Sequence, residues 1–293
     1  MKECEKISSK DISIIVQGGI EKNITAEVLR TIRNVFPNSQ VILSTWETSD
    51  VSGLDFDEVV FSADVGKSYF SVYRASGGGN NVNRQIASSK AGVELATRKY
   101  ILKTRTDIVF KNANFLNVYQ KYMESGVIWQ KGRIAINNFY TRNPRMFPLS
   151  YHPSDWITFG YAEDIKNYYN IPLLDHNFVP KVAYTLCPEA YIFTEYLAKR
   201  GLDLAKYNSI IKTEELLAKC FVVIDIDKFE IVFTKYDPNR FHDRFSLISY
   251  KKWKILYNHY NYNEQIIYFC YKAYSNFVGF LIFCYRKYVK RNF

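Results

Sequence analysis

Residues 80–110, NNVNRQIASSKAGVELATRKYILKTRTDIVF, join a helix, a buried strand and a charged strand end in one short stretch. Val82, Ile86, Ala87, Ala91, Val93 and Leu95 recur at roughly the 3.6-residue period, and Asn80 or Asn81 can accept a backbone N–H at the start, so a helix is predicted. After it the apolar run Tyr100-Ile101-Leu102 breaks off into Lys103-Thr104-Arg105-Thr106-Asp107. A buried parallel strand ends this way when its carboxyl end opens into a ligand site. Lys103, Arg105 and Asp107 suit a nucleotide diphosphate there, through the cations directly or through a divalent metal held by the carboxylate.

The N-terminal residues supply neighbours for such a strand. Residues 12–16 are apolar and stop at Gln17-Gly18-Gly19, as a first central strand does at a tight turn. Leu29, Ile32, Val35 and Phe36 mark a helix face from about Thr25, stopped by Pro37, and residues 41–44 give the second strand. This β-α-β order with its right-handed crossover is the mononucleotide-binding half of an α/β sheet. The fold class expected is therefore α/β, a Rossmann-type nucleotide-binding sheet with flanking helices. Gln17, Trp46 and Glu47 at the strand ends become candidates for nucleoside contact, Trp46 by stacking and Glu47 by accepting from hydroxyls or base edges. A third strand is expected at 58–62. Ser76-Gly77-Gly78-Gly79 has no G-x-G-x-x-G register, which argues against a dinucleotide fold, and reads instead as a loop feeding a helix start whose free N–H groups can meet phosphate.

Beyond Asp107 a helix is predicted over 114–124 and strands over 127–130 and 134–136. Between a polar turn and an aromatic strand lies Tyr151-His152-Pro153-Ser154-Asp155-Trp156. Partial burial there would raise the pKa of Asp155 and suit it as a general base. Glu189 is the second candidate base, in a helix that opens with Pro188, and Asp64 is a more distant one. His152 is read as a hydrogen-bonding partner of substrate. A helix near 213–217 and strands over 221–226 and 230–233 follow, with Asp225 and Asp227 alternating on the first of these strands and His242 as a late ligand candidate.

Five cysteines, at 4, 187, 220, 270 and 284, are an odd number without C-x-x-C spacing, so neither a disulfide framework nor a zinc site is indicated. The first ten residues contain no apolar run of a secretory signal. Of the net charge of +10, residues 251–293 carry +7, from eight Lys/Arg against Glu264 alone. The same segment has 14 aromatic residues among 43. Its longest uncharged run, 273–285, has 13 residues, short of the ~20 that span a bilayer. We expect residues 1–250 to form the main domain, in halves at about 11–112 and about 113–250, and 251–293 to be an amphipathic tail on an anionic membrane surface.

The blocks Ile14-Ile15-Val16-Gln17-Gly18, Ile42-Leu43-Ser44-Thr45-Trp46-Glu47, Asn80-Asn81-Val82-Asn83-Arg84-Gln85, Lys103-Thr104-Arg105-Thr106-Asp107 and His152-Pro153-Ser154-Asp155-Trp156 resemble, in order, those of the WavE lipopolysaccharide-synthesis family. The Asn83-Arg84 helix before a strand ending in Arg105-Thr106-Asp107 also looks like the core of GT-A glycosyltransferases. The resemblance implies a nucleotide-sugar-dependent glycosyltransferase of lipopolysaccharide or capsular polysaccharide assembly, with a saccharide or lipid-linked acceptor. It would work in the cytoplasm, peripheral on the inner face of the membrane. Asn80, Asn83, Arg84, Lys103, Arg105 and Asp107 would bind the donor, and His152 and Trp156 the acceptor. Arg105 stands where the first Asp of Asp-x-Asp would be, so any Mg²⁺ or Mn²⁺ is expected to have few protein ligands, Asp107 among them, and to be held largely through the diphosphate. A nucleotidyltransferase would need a Lys-bearing Gly-rich loop after the first strand, which Gln17-Gly18-Gly19-Ile20-Glu21 is not. A nucleic-acid binder would use the Lys/Arg and aromatic residues together; the expectation is no nucleic acid.

Overall fold

The structure is a computed structural model and describes residues 6–67, 81–147, 149–175, 187–234 and 246–288. Its centre is a seven-stranded sheet in the order β3-β2-β1-β4-β7-β6-β8. The strands are β1 (Ile12–Gln17), β2 (Gln40–Trp46), β3 (Glu58–Ser62), β4 (Tyr100–Arg105), β6 (Ile134–Asn137), β7 (Thr158–Tyr161) and β8 (Phe221–Ile224). Every residue of β1 is buried, as expected of a near-continuous apolar strand covered on both faces. The helices α1 (Lys22–Val35) and α2 (Val82–Glu94) make the crossovers of the parallel part. Small residues on α2 let it approach closely: a Cβ at Gly92 would collide with the Ile15 side chain and come within 3.0 Å of Ser44 Cβ.

Register brings the chemistry to one edge. Gln17 pairs with Ser44 on one side and with Arg105 on the other, so β1 and β4 end level and β2 runs two residues further, to Trp46. β7 runs antiparallel to both β4 and β6, and β8 runs parallel to β6. The carboxyl ends of β4, β6 and β8 and the start of β7 therefore share the edge where β1 stops. A two-stranded sheet of β5 (Ile108–Phe110) and β9 (Ile231–Phe233) stands beside it. The second half adds α3 (Phe115–Tyr122), α4 (Ala162–Tyr169), α5 (Pro188–Ala198), α6 (Ser209–Cys220), the short α7 (Ile226–Phe229), α8 (Tyr250–Tyr262) and α9 (Gln265–Tyr288).

Two sequence expectations are corrected. Residues 127–130 form a turn and not a strand, because the chain wraps the buried Arg133 guanidinium, which donates to the carbonyls of Tyr122 (3.2 Å), Ala218 (3.0 Å) and Glu124. The strand expected to run through 226 stops at Ile224, because Asn138 Oδ1 takes the Ile226 N–H (3.0 Å) and Asp225 takes that of Tyr250 (2.8 Å). Asp225 and Asp227 therefore sit at the start of α7 and do not alternate on a strand.

The tail divides in two. α8 packs on α6, with Trp253 fully buried and its indole N–H on the Leu217 carbonyl at 3.0 Å, so it belongs to the core. α9 turns back after Asn263, which adopts a left-handed φ of 60°, and keeps most of its apolar side chains exposed. From Gln265 to Tyr285 it is long and apolar enough to cross a membrane, because a single Lys272 does not interrupt the run as strictly as the uncharged count implied.

Candidate active site

At the rim formed by the parallel strands, the polar side chains hold one another in place. Gln17 is buried and accepts from Ser88 on α2 (2.7 Å), which ties the end of β1 to that helix. Trp46 is half-buried against Gly19, and Glu47 is exposed, its backbone N–H bonded to Ser62 (3.1 Å). Arg84 forks onto Asp64, with Nε 2.6 Å from one carboxylate oxygen, which holds the Asp64 carboxyl below its ordinary range and makes it a poor base. Asn83 is consumed structurally: its amide accepts from the Leu174 N–H (2.7 Å) and donates to the Leu174 carbonyl (3.1 Å), closing the loop after α4 onto α2. Asn80 and His242 lie outside the described residues.

Arg105 ends β4 with its guanidinium 4.5 Å above the Trp156 ring and both Nε and Nη2 at 2.8 Å from the Asp107 carboxylate. Trp156 is 7% exposed and packs on Phe139 and Phe233, so its ring positions Arg105 more than it offers an open face. Lys103, one pleat earlier, is fully buried; its ammonium donates to the Asp155 backbone carbonyl at 2.6 Å and lies 5.4 Å from the Tyr169 ring. Burial pushes its pKa down to about 8, against the opposing pull of Asp155.

Across from this cation are the two candidate bases. Asp155 is completely buried, and neither carboxylate oxygen has a hydrogen-bond partner among the described residues. Burial pushes its pKa up to about 6; Lys103 pulls it back and Glu189 adds to the rise. Glu189, in the first turn of α5, is also raised, first by burial, while its first-turn backbone N–H and Arg142 act to lower it. Its side chain keeps 13% exposure, so it is the carboxylate of the two that a ligand can reach. His152 Nε2 stands 3.7 Å from Glu189 Oε2, and burial together with the Arg142 charge brings its pKa down to about 4. At neutral pH the imidazole is uncharged, and the contact is a polar one and not an ion pair.

Arg142 was not singled out in the sequence. Its backbone N–H bonds the His152 carbonyl (3.0 Å), its guanidinium reaches Ser246 (2.8 Å), and it lies between the Tyr140 and Phe147 rings. The one available signal was a basic residue among aromatics after β6, which has no periodicity to distinguish it. Cys187 was also passed over; its thiol, Glu189 and His152 place ligand atoms within 4.8 Å of one another, although burial pushes the thiol pKa up and the Arg142 charge opposes a cation there.

At the strand end the Arg105 fork engages both oxygens of Asp107 and offsets its charge, and each oxygen keeps a further lone pair, so Asp107 offers one weakened carboxylate ligand to a divalent ion. Among the described residues no second carboxylate joins it to make a site.

A parallel half-sheet buried on both faces, with Lys103 and Arg105 at its carboxyl edge beside the buried Asp155 and Glu189, defines an α/β protein with a candidate site at that edge. The sequence profile of the WavE lipopolysaccharide synthesis family matches residues 12–201, and the chain belongs to that family. A comparison with curated proteins finds no match. Among solved structures, a mannosyltransferase from Pyrobaculum calidifontis in complex with GDP-Man and Mn2+ is similar over 55% of this chain and 47% of its own, at 13% identity and a TM-score of 0.36. The chain thus spans about half the length of that protein.

Proposed function

We propose that the protein is a GT-A-like glycosyltransferase of surface-polysaccharide or lipopolysaccharide assembly, moving a sugar from a nucleotide-sugar to a saccharide or lipid-linked acceptor at the inner face of the cytoplasmic membrane. One observation carries this reading: Asp155 and Glu189, both with raised pKa, face Lys103, Arg105 and Arg142 at the carboxyl edge of β1 and β4. Proton acceptors beside a cation-lined nucleotide edge are what glycosyl transfer by direct displacement requires. Family membership supports it.

In this mechanism Glu189 takes the proton of the acceptor hydroxyl as that oxygen bonds to the anomeric carbon. The bond from that carbon to the diphosphate oxygen breaks, and the nucleoside diphosphate leaves with the electron pair. Arg105, released from Asp107 or sharing it, and Arg84 offset the charge on the leaving diphosphate, while Lys103 adds a fixed buried positive charge behind them. Gln17, Trp46 and Glu47 contact the nucleoside. His152, neutral, accepts from or donates to an acceptor hydroxyl.

The reading is tested by thermal shift with a panel of nucleotide-sugars, since a ligand that binds only the folded state raises apparent stability. At least one nucleoside-diphosphate sugar should raise the melting temperature, with a smaller rise for Arg105→Ala. A panel in which none does so, at millimolar ligand, overturns the assignment.

A further inference from the structure

α9 has two faces with different surroundings. On one, Tyr271, Ser275 and Gly279 recur every fourth residue and rest on the domain: Tyr271 is 6% exposed, Ser275 is buried completely, and a Cβ at Gly279 would collide with the Arg145 carbonyl oxygen. Arg145 fastens this seat. Its guanidinium donates to Tyr268 (3.2 Å) and Asn276 (3.3 Å) on α9 while forking the buried Glu214 of α6 at 2.6 Å. On the opposite face Ile266, Phe269, Phe277, Phe280, Leu281 and Phe283 are 49–82% exposed. Only Lys272 is charged between 265 and 285.

We infer that α9 is an in-plane, single-leaflet membrane anchor, whose outer face enters an anionic bilayer while its inner face stays on the enzyme. Charge selects the occupant. The exposed Lys251 and Lys254 on α8 and the exposed Lys287 in the last turn of α9 lie beyond the apolar stretch, as an anionic headgroup layer requires and an apolar protein groove does not. The seat selects the orientation. At 21 residues the helix is long enough to cross, but crossing would strip Tyr271, Ser275 and Gly279 from the domain at mid-helix or carry the Arg145–Glu214 pair into hydrocarbon. Lying flat keeps both. Arg145 shares a loop with Arg142, whose charge acts on His152 and Glu189, so the anchor holds the proton-accepting side of the site next to the lipid surface. The acceptor that fits this placement is an amphiphile with its hydroxyl-bearing head at the interface; that last step rests on the glycosyltransfer reading, whereas the insertion does not.

The test uses the full chain with phosphatidylglycerol/phosphatidylethanolamine vesicles. It should float with them, release at high salt to a small extent only, and place a fluorophore at residues 270, 277 and 284, attached one at a time, at the same shallow depth by lipid-resident quenchers. Phe277→Glu with Phe280→Glu should cut flotation about tenfold or more, at unchanged melting temperature and nucleotide-sugar binding. A quenching profile deepest at 277, with 270 and 284 near opposite surfaces, overturns the in-plane anchor in favour of a span. Absence of flotation, or a dimer that shields the fluorophores without lipid, overturns it in favour of a protein-covered face. Loss of nucleotide-sugar binding with flotation intact would instead sink the enzymatic reading and leave the anchor standing.

Discussion

The two sides of the site treat charge in opposite ways. On the side proposed to hold the donor, Arg84 and Arg105 come already matched, with Asp64 and Asp107. On the side proposed to hold the acceptor, among the described residues, Asp155 has no hydrogen bond to either oxygen, and Glu189 has a neutral imidazole as its one partner within salt-bridge distance. The difference shows which side is organised for stability and which is organised against it. A matched pair can exchange its internal carboxylate for a phosphate with little net electrostatic cost. A buried carboxylate with raised pKa is destabilising in its ionised form, and such groups persist where they serve chemistry.

The largest effect that would break this contrast is at Glu189. Glu189→Gln should lower turnover about a hundredfold or more at neutral pH, with donor affinity unchanged, as for loss of a general base. Asp155→Asn should lose less activity, because its oxygens are sealed from the reaching ligand, and should gain stability. The sign follows from the raised folded pKa of about 6. Between the ordinary carboxylate value and 6 the folded state binds more protons than the unfolded one, so stability falls as pH rises through that window, and the deficit persists above it. Removing the titration should restore on the order of 3 kcal/mol at pH 7.5 by the 1.36 kcal/mol per unit conversion. Urea melts at pH 4 and 7.5 read this directly. A severe activity loss in Asp155→Asn with a mild one in Glu189→Gln would exchange the two roles.

On the matched side, Arg105→Lys should raise the Michaelis constant for the nucleotide-sugar about tenfold with a smaller change in turnover, since an ammonium cannot both fork a carboxylate and lie flat on Trp156. An unchanged constant would show that the diphosphate does not use this strand end.

The pH profile sharpens the acceptor side further. Activity should fall on acidification along a limb lying above the ordinary carboxylate range, because burial raises both candidate bases. Arg142 lowers Glu189, so Arg142→Gln should move that limb upward. A limb that stays in place would detach Arg142 from the base.

Strand ends were legible because periodicity and abrupt polarity changes report backbone path: β1, β2, β3 and β4 all fall where the apolar runs lie, and Gln17 and Arg105 end level as a parallel register demands. Candidate bases were legible as residue types, but not their environments. That Asp155 is sealed and Glu189 reachable depends on Lys103 donating to a backbone carbonyl 52 residues away, a contact with no local signature. Arg133 hid in the same way: a buried guanidinium that gathers three carbonyls from two segments replaced an expected strand with a turn. In the tail, composition suggested one amphipathic segment over the whole of 251–293, while the division into a core helix and an exposed one turned on Trp253 and on the small residues of α9, which composition averages away.

The smallest expected effect is at Arg84. Its pair with Asp64 is solvent-exposed, and such pairs contribute little to stability, so Arg84→Gln should leave the melting temperature unchanged. If Arg84 leaves Asp64 for the diphosphate when donor binds, the variant should still raise the donor Michaelis constant by a few-fold, and should lose part of the salt dependence of donor binding. Asp64→Asn should do the reverse, freeing Arg84 and tightening donor binding slightly. Both variants measured in 50 and 300 mM salt decide the matter: opposite shifts mean that the rim exchanges an internal carboxylate for phosphate. Identical constants in all three proteins mean that the Arg84–Asp64 pair only fastens the loop after β3 to α2, and the matched side of the comparison then rests on Arg105 alone.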